Sequence, residues 1–592
     1  MADQRLFQAA LDSLVGNPEQ ERAVAERGHC VVLAGPGSGK TKTLTTAMAR
    51  TLIQDVQPPR GVACITYNNE CAIELEDRLA KLGVEPGDHV FVGTVHSFAL
   101  TQIIGPYARC VLPELAGEIR IASKEQIDQA IQDAFVDTIS DGGDPVRQWQ
   151  FAKEKRIRQV DRTLPNWRGR NVELAEFAEA YEVRLHRQGL IDFDDMPLLA
   201  FRMVQSNPWI GEALQARFPV LFIDEYQDLG HALHELASKF CFTHGMRMFA
   251  VGDADQSIYD FTGANPALLQ SLTERDDVTT IRLRLNYRCG TKIIGASMAA
   301  LGEERDYSGP KDAAEGLVEF VPVEGGLDAQ ASHIASLLVP ALLARGIPLE
   351  QIAVLYRTAA QGTSLATAAQ GAGIPIVRAD TNALVKRSSK LARFLEACAG
   401  WVVGGWKNAT PPFRRLAYDA VSIVYGRDAS DTEIDDIQSD LIGFLRDSLD
   451  IAHTTNSWVK AFKRDVLDGW HARSRTATDE WDVADDIIRK TDPVLGHDMP
   501  LSHFAGKIEG SGRLNLSTLH SAKGREFDVV ILFAMNDGAL PNYHDHKKPE
   551  KLREARRLFY VGVTRPRKEL YLVYQSKMHS PWVAELYQRV TA

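Results

Sequence analysis

The sequence predicts an α/β protein with two parallel-sheet domains, each interrupted by a mainly helical insertion. Three observations carry this. Short apolar, β-rich runs recur at Cys30–Ala34, Val62–Thr66, Val220–Ile223, Met248–Val251, Ile352–Tyr356, Asp528–Phe533 and Leu570–Tyr574. Helical stretches separate them, and apolar strands alternating with helices are the signature of sheets buried on both faces. The strands also fall in two sets, one N-terminal and one spanning roughly 318–380 and 514–575, with long helical stretches at about 101–190 and 400–505.

Composition fits this plan. The 592 residues leave room for about four units of ordinary domain size. Hydrophobic residues make up 45% and charged residues 24%, enough for several cores. Lys plus Arg is 67 against 78 Asp plus Glu, a net charge of −11, which excludes a protein that is basic all over but not a local basic groove. The charge is unevenly placed. Lys153–Arg170 carries seven Lys/Arg against two acids, whereas Arg427–Asp450 carries eight Asp/Glu against two Arg. The first stretch, with Trp167 inside it, is a candidate contact for duplex or phosphate backbone. The acidic stretch resists phosphate and reads as a surface for a partner or for regulation. Seven cysteines without a CxxC pair argue against a disulfide framework or zinc ribbon and fit a reducing cytoplasm. No uninterrupted apolar run approaches the ~18 residues of a membrane span, and the N-terminus reads as an amphipathic first helix.

The strongest motif is Ala34-Gly-Pro-Gly-Ser-Gly-Lys-Thr41, set between an apolar strand and a helix. Its small residues, Gly35, Gly37, Ser38 and Gly39, let backbone N–H groups wrap phosphate oxygens at a helix N-terminus. Lys40 is placed to reach the β- and γ-phosphates, Thr41 to ligate Mg²⁺, and Lys42 to continue the phosphate-binding turn. The first glycine of the usual pattern is Ala34 here. Next comes Leu221-Phe-Ile-Asp224-Glu225-Tyr-Gln-Asp228, apolar residues ending in adjacent acids at a strand's carboxyl end. Asp224 suits a Mg²⁺ shell and Glu225 suits deprotonating an attacking water. Gln20, in Asn17-Pro-Glu-Gln20 just before the loop's strand, suits the adenine edge. Gln256, in Val251-Gly-Asp-Ala-Asp-Gln256, suits sensing the γ-phosphate. Arg288 and Arg565 are candidates for stabilising charge on the transferred phosphoryl group, worth roughly 10³–10⁵ in rate for an arginine finger.

Taken together, the chain resembles the UvrD/Rep/PcrA-type superfamily 1A DNA helicases over nearly its full length. The segments that carry the resemblance run in family order: Asn17–Gln20, Ala34–Thr41, Thr66–Ala72, Gly93–Phe98, Asp192–Asp195, Asp224–Asp228, Gly252–Tyr259, Asn286–Arg288, Tyr356-Arg357, Thr518–Glu526 and Arg556–Arg565. The resemblance implies two RecA-like P-loop motors with ATP and Mg²⁺ between them. The first motor would be 1–100 and 191–284, with 101–190 as its helical insertion. The second would be 285–398 and 506–592, with 399–505 as a reduced insertion. It implies that Arg288 and Arg565 act as fingers, that Tyr287 stacks on adenine and that Glu526 bonds the ribose. It further implies a single-stranded DNA track through Tyr67, Thr94, His96, Tyr259, Phe261, Arg357, Thr518 and His520, with movement 3′→5′. Departures from the family pattern sit on that track: Glu70 for Lys, Phe261-Thr262 for Trp-Arg, Arg525 for Leu, Ala555 for Glu and Pro566 for Ala. The ATP groups are intact. Two functions follow, an autonomous translocase and helicase, or the DNA-sensing motor subunit of a larger, nuclease-containing repair or phage-defence complex. A P-loop binding protein without motor activity does not need Arg288, Arg565 and Gln256 together.

Overall fold

The computed structural model describes residues 4–67, 69–84, 89–115, 117, 119–139, 142–169, 171–258, 265–380, 383–384, 389–407, 411–426, 429–449, 453–475, 480–495, 498–505 and 512–591. The chain divides into two compact units, Met1–Tyr287 and Arg288–Ala592.

The first unit holds strands β1 (His29–Ala34), β2 (Val62–Thr66), β3 (Val90–Thr94), the two-residue β4 (Arg120–Ile121) and β5 (Leu190–Ile191), then β6 (Val220–Ile223), β7 (Arg247–Gly252) and β8 (Val278–Leu283). Six of them form one parallel sheet in the order β3-β2-β6-β7-β1-β8. Successive strand side chains point to opposite faces, so one run feeds two cores. Val31, Ala63, Ile65, Leu221, Ile223, Met248 and Ala250 enter one core. Cys30, Val32, Val62, Cys64, Val220, Phe222, Phe249 and Val251 enter the other. The same order sets the carboxyl ends of β6, β7 and β1 side by side, the place where open α/β sheets bind ligands.

Between β3 and β5 the chain is mainly helical, with helices Lys124–Thr138, Pro145–Arg158 and Val172–His186. They enclose a small core of their own around Phe135, Trp149, Phe177 and Tyr181. Helix Lys124–Thr138 starts on a capping box. Ser123 Oγ accepts from Gln126 N–H and Gln126 Oε1 accepts from Ser123 N–H at 2.8 Å, which satisfies end groups the helix leaves open.

The second unit holds β9 (Leu317–Val323), β10 (Ile352–Tyr356), β11 (Ile376–Ala379), β12 (Leu514–Thr518), β13 (Phe527–Leu532) and β14 (Pro566–Gln575). They form a second parallel sheet in the order β11-β12-β10-β13-β14-β9. The fold class is therefore α/β with two parallel sheets, as the sequence predicts. Among the described residues, one helical stretch, Leu327–Ala344, is long and apolar enough to cross a bilayer. It buries Ala331, Ile334, Ala335, Val339 and Leu342 in the core beside this sheet. Residues of the second helical stretch close around Phe394, Trp458, Phe462, Trp470 and Trp481. Helix Lys390–Val402 runs across the expected 398/399 boundary, and its Leu391, Phe394, Leu395 and Cys398 belong to that aromatic core.

Candidate nucleotide site and nucleic-acid face

The glycine-rich loop leaves β1 and turns into helix Lys40–Arg50. Gly37 and Gly39 have φ of 68° and 83°, a backbone region that costs other residues about 1 kcal/mol or more. A Cβ at Gly39 would also stand 2.4 Å from Gln20 Nε2. Ala34, in place of the usual first glycine, ends β1 opposite Leu283, in extended backbone that needs no glycine. Ser38 Oγ donates to Gly35 O at 2.7 Å, which closes the turn from inside.

The elements on either side of the loop are tied to it. Gln20 Nε2 donates to Ser38 O at 2.9 Å, and Asn17 Oδ1 caps the preceding helix by accepting Gln20 N–H at 3.1 Å. Asn17 Nδ2 donates to Tyr287 Oη at 2.9 Å, and Tyr287 N–H donates to Gly37 O at 2.8 Å. Gln20 thus spends a donor on the loop itself, while the Tyr287 ring stays 50% exposed beside it. Lys42, also among the expected phosphate-binding residues, has its side chain held by the N-terminal segment. Its ammonium donates to Ser13 O at 2.7 Å, because one residue beyond Thr41 the helix has turned that side chain toward the N-terminal segment.

Asp224, Glu225 and Asp253 come from the adjoining ends of β6 and β7. Asp224 is buried and its Oδ1 has no hydrogen-bond partner. Burial, then the neighbouring Glu225 charge, raises its pKa to about 7. Burial and then Asp255 raise Asp253 to about 6. Lys40 opposes both shifts, and its Nζ lies 3.4 Å from Glu225 Oε1. Three carboxylates around one ammonium leave a deficit of positive charge. Among the described residues, no group of three or more His, Cys, Asp or Glu is arranged to hold a metal by itself. The buried, unpartnered Asp224 Oδ1 and the Thr41 hydroxyl at the helix start fit Mg²⁺, which takes few protein ligands and completes its shell with phosphate and water.

Glu225 has φ 50° and ψ 45°, left-handed backbone that is uncommon for a side chain of this size. Such strain persists where its surroundings fix it, and here they do. Gln227 Nε2 donates to Glu225 Oε2, while Gln227 Oε1 accepts Asp253 N–H at 2.8 Å. Gln256 Nε2 in turn donates to Asp253 Oδ2 at 2.5 Å. The motif reading includes Gln227 within Asp224–Asp228 but gives it no role. Its one sequence signal is its place two residues after Glu225.

Comparison with known proteins agrees with this geometry. Residues 16–276 match the UvrD/REP helicase N-terminal domain, and residues 502–577 match the UvrD-like helicase C-terminal domain. The chain belongs to the UvrD/REP helicase family. It is 26% identical to an ATP-dependent DNA helicase PcrA from Leuconostoc citreum, over 94% of this chain and 81% of the relative. It is 27% identical to an ATP-dependent DNA helicase UvrD1 from Mycobacterium leprae (strain TN), over 95% and 82%. It is 26% identical to an ATP-dependent DNA helicase UvrD2 from Mycobacterium tuberculosis (strain ATCC 25618 / H37Rv), over 94% and 77%.

In this UvrD/REP chain the second-unit residues singled out from sequence are held by partners of their own unit. Arg288 pairs with Glu526 and donates to Thr564 O at 3.3 Å. Burial pushes the Glu526 pKa up, but Arg288, with Arg567 beyond it, outweighs that and holds it below the usual range. Arg565 is buried at the end of helix Pro549–Val563. Its Nε donates to Val561 O and its Nη2 to Thr564 Oγ1, both at 2.9 Å. A guanidinium suits that position because the last carbonyls of a helix lack intrahelical donors.

On the face expected to meet DNA, Thr94 caps helix Val95–Phe98, its Oγ1 accepting Ser97 N–H at 3.2 Å. Tyr67 is half-buried just beyond β2. Burial lowers the His96 pKa, which favours the neutral ring, and that ring lies 5.6 Å from the ring of Phe193. Phe193 is 45% exposed, an aromatic that the motif reading did not single out. Tyr259, Phe261 and Thr262 lie outside the described residues, as does the side chain of Glu70. In the second unit, Arg357 makes a two-pronged pair with Asp545 at 2.6 and 2.8 Å and donates to Ala539 O at 3.3 Å. Its fork is thereby committed within the protein, the geometry a phosphate would otherwise take. Thr518 accepts Ser521 N–H at 3.1 Å, and burial lowers the His520 pKa. Arg525, the replacement for Leu, bonds Asn515 Oδ1 at 2.8 Å and lies over the Phe527 ring.

The basic run in the first helical stretch is not the open cationic patch its count suggests. Arg156 is fully buried, 2.6 Å from Glu182 Oε1, 2.8 Å from Asp192 Oδ2 and 2.9 Å from Asp195 Oδ1. Arg162 pairs with Glu182 at 2.7 Å, Lys153 with Asp194 and Arg168 with Glu179, each at 2.8 Å or less. Trp167 is buried and donates to Glu179 Oε1 at 2.7 Å. The balancing acids come from later in the chain, beyond the window in which the charge was counted.

Proposed function

We propose that the chain is an ATP-dependent DNA helicase that moves 3′→5′ on single-stranded DNA and opens duplex ahead of it. The observation that carries this reading is the convergence of Lys40, Asp224, Glu225 and the Asp253–Gln256 turn at three neighbouring strand ends, with Gln20 and Tyr287 tied to the same loop. Lys40 and the loop's N–H groups bind the phosphates of ATP. Glu225 takes the proton of the attacking water, and Gln256 reads the γ-phosphate. Thr41 and Asp224 would hold Mg²⁺, which would supply positive charge against the phosphate oxygens. The exposed Tyr287 ring stacks on the adenine, and Glu526 bonds the ribose once Arg288 leaves it. Arg288 and Arg565 act as fingers after exchanging their present partners for phosphate, so the second unit must rearrange when ATP binds. Residues 1–100 and 191–284 form one motor and 285–398 and 506–592 the other. Single-stranded DNA, through Tyr67, Thr94, His96, Tyr259, Phe261, Thr518 and His520, is the polymer they pull, and Phe193 adds a stacking surface beside His96. None of the seven cysteines forms a disulfide, which suits a reducing cytoplasm.

A second reading has specific support. Arg357 is committed to Asp545, and the Lys153–Arg168 cations are largely paired, which weakens electrostatic hold on DNA. These features suit a DNA-sensing motor subunit of a larger repair or phage-defence complex that unwinds poorly alone, with 399–505 meeting the partner.

One set of measurements separates them. Single-stranded DNA stimulates ATP hydrolysis by the wild-type chain, and duplex with a 3′ tail is opened while a 5′ tail is not. Lys40→Ala and Glu225→Gln each lower kcat by roughly 10² or more. ATPase that ignores DNA at low salt sinks the helicase reading. Strong DNA stimulation without unwinding favours the subunit.

A further inference from the structure

We propose that Gln227 is a positioning residue for ATP hydrolysis, aiming Glu225 and coupling it to the turn that carries Gln256. The inference rests on the helicase reading above and concerns how its water-activating carboxylate is held. Gln227 is fully buried. Its single amide head does two opposite jobs: Nε2 donates to Glu225 Oε2, and Oε1 accepts Asp253 N–H at 2.8 Å. The orientation of that amide is fixed by chemistry, because an ionised carboxylate can only accept and a backbone N–H can only donate. Ser257 Oγ adds a bond to Gln227 O at 3.3 Å, and Gln256 Nε2 reaches Asp253 Oδ2 at 2.5 Å. A continuous chain of hydrogen bonds therefore runs Glu225–Gln227–Asp253–Gln256, joining the strand ends of β6 and β7.

The surroundings are fitted to this amide. A Cβ at Gly252 would stand 2.8 Å from Gln227 Oε1, so glycine there leaves room for it. Glu225 sits in left-handed backbone and has its other oxygen 3.4 Å from Lys40 Nζ. When phosphate draws Lys40 away, the Gln227 bond still holds one oxygen of the carboxylate in place. The two functions of the head are separable by substitution. Gln227→Met keeps length and removes both bonds. Gln227→Glu keeps an acceptor for Asp253 N–H and, assayed at a pH high enough to ionise both carboxyls, removes the donor to Glu225 and sets two carboxylates face to face.

The test is a double-substitution cycle on the full chain, read by steady-state ATP hydrolysis with saturating single-stranded DNA. Gln227→Met lowers kcat about 10- to 100-fold, in line with a misaimed catalytic group, and changes KM for ATP by less than about 2-fold. In a Glu225→Gln background the same substitution costs less than about 2-fold, because the group it positions is already gone. Gln227→Glu reproduces the kcat loss, so the proposal stays testable even where Gln227→Met does not fold. Equal losses in both backgrounds overturn the proposal, as does a raised KM with unchanged kcat or wild-type kcat in Gln227→Glu. A wild-type chain that hydrolyses no ATP sinks the parent reading instead, so the two failures are distinguishable.

Discussion

The two helical stretches carry opposite charge imbalances in sequence, and the structure treats them in opposite ways. In the first, Arg156 and Arg162 turn inward, while Lys153, Arg158 and Arg168 stay exposed but paired. Arg156, Arg162 and Arg202 meet Glu182, Asp192 and Asp195 in one buried network, three charges of each sign. In the second, acids stay outside. Asp431, Asp435 and Asp436 are exposed on helix Asp431–Asp447, over a core of aromatic and aliphatic residues. A run of like charge in sequence is therefore a statement about supply. Whether it becomes surface potential depends on what the fold brings opposite it, here Glu182, Asp192 and Asp195 from beyond the run.

The strongest way to break this contrast is to remove the cation at the centre of the buried network. Arg156→Met leaves three buried carboxylates short of their counter-charge and costs about 3–5 kcal/mol, since stripping one partner from a buried set is far worse than never having had it. Arg446→Ala, in the second stretch, removes a pair 3.9 Å apart with both side chains more than three-quarters exposed. It costs under about 0.5 kcal/mol. Hydrogen exchange of peptides from each stretch reads both locally, avoiding a single global transition in a chain of two units. Native protection of 145–205 in Arg156→Met contradicts the inward reading of the first stretch.

A smaller effect comes from pH. His186 Nε2 lies 2.5 Å from Asp195 Oδ2 inside the same network. Burial lowers its pKa, but the bond and charge of Asp195 outweigh that and hold it above the usual 6.5. A histidine whose folded pKa is raised contributes stability that is fully present below its unfolded value of about 6.5 and is lost as pH rises through the folded value. Protection of 145–205 should therefore fall as pH is raised from 6 upward, and His186→Gln should flatten that dependence. A rise in protection over the same range reverses the sign and refutes the assignment.

The sequence was most legible where burial is most complete. The seven apolar runs correspond to β1, β2, β6, β7, β10, β13 and β14, none of which is an edge strand. The missed β3, β8, β9 and β11 all lie at sheet edges; β8, β9 and β11 have partly exposed side chains, so their sequences need not be apolar throughout, whereas β3 is buried but its apolar run stops after three residues at Gly93. β12 lies inside the sheet, but Asn515 and Ser517 interrupt its pattern. Asn515 Nδ2 is satisfied by Glu350 O at 3.1 Å, a partner that local reading cannot see. The nucleotide loop was legible because its glycines answer a local backbone demand. Gln227, the Lys42 contact with Ser13 and the commitment of Arg357 to Asp545 were not, since each depends on a residue or a side-chain direction that motif spacing does not carry.

The finest test of the contrast is DNA affinity, where the expected effect is smallest. An open cationic track of single-stranded DNA contacts loses about 0.7 from the slope of log K against log salt for each phosphate contact removed. Arg158 and Arg168 are the cations of the first stretch with the most exposed side chains among those paired in the structure, at 66% and 61%. Each faces an acid, Glu154 at 3.0 Å and Glu179 at 2.7 Å. Such surface pairs are weak, so a phosphate can displace either acid, but the acid remains nearby and repels it. Arg158→Ala and Arg168→Ala should therefore change affinity by less than about 2-fold and the salt slope by well under 0.7. A full loss of about 0.7 per substitution would mean that phosphate wins these arginines from their partners, and that the first stretch is a DNA track despite its internal pairing.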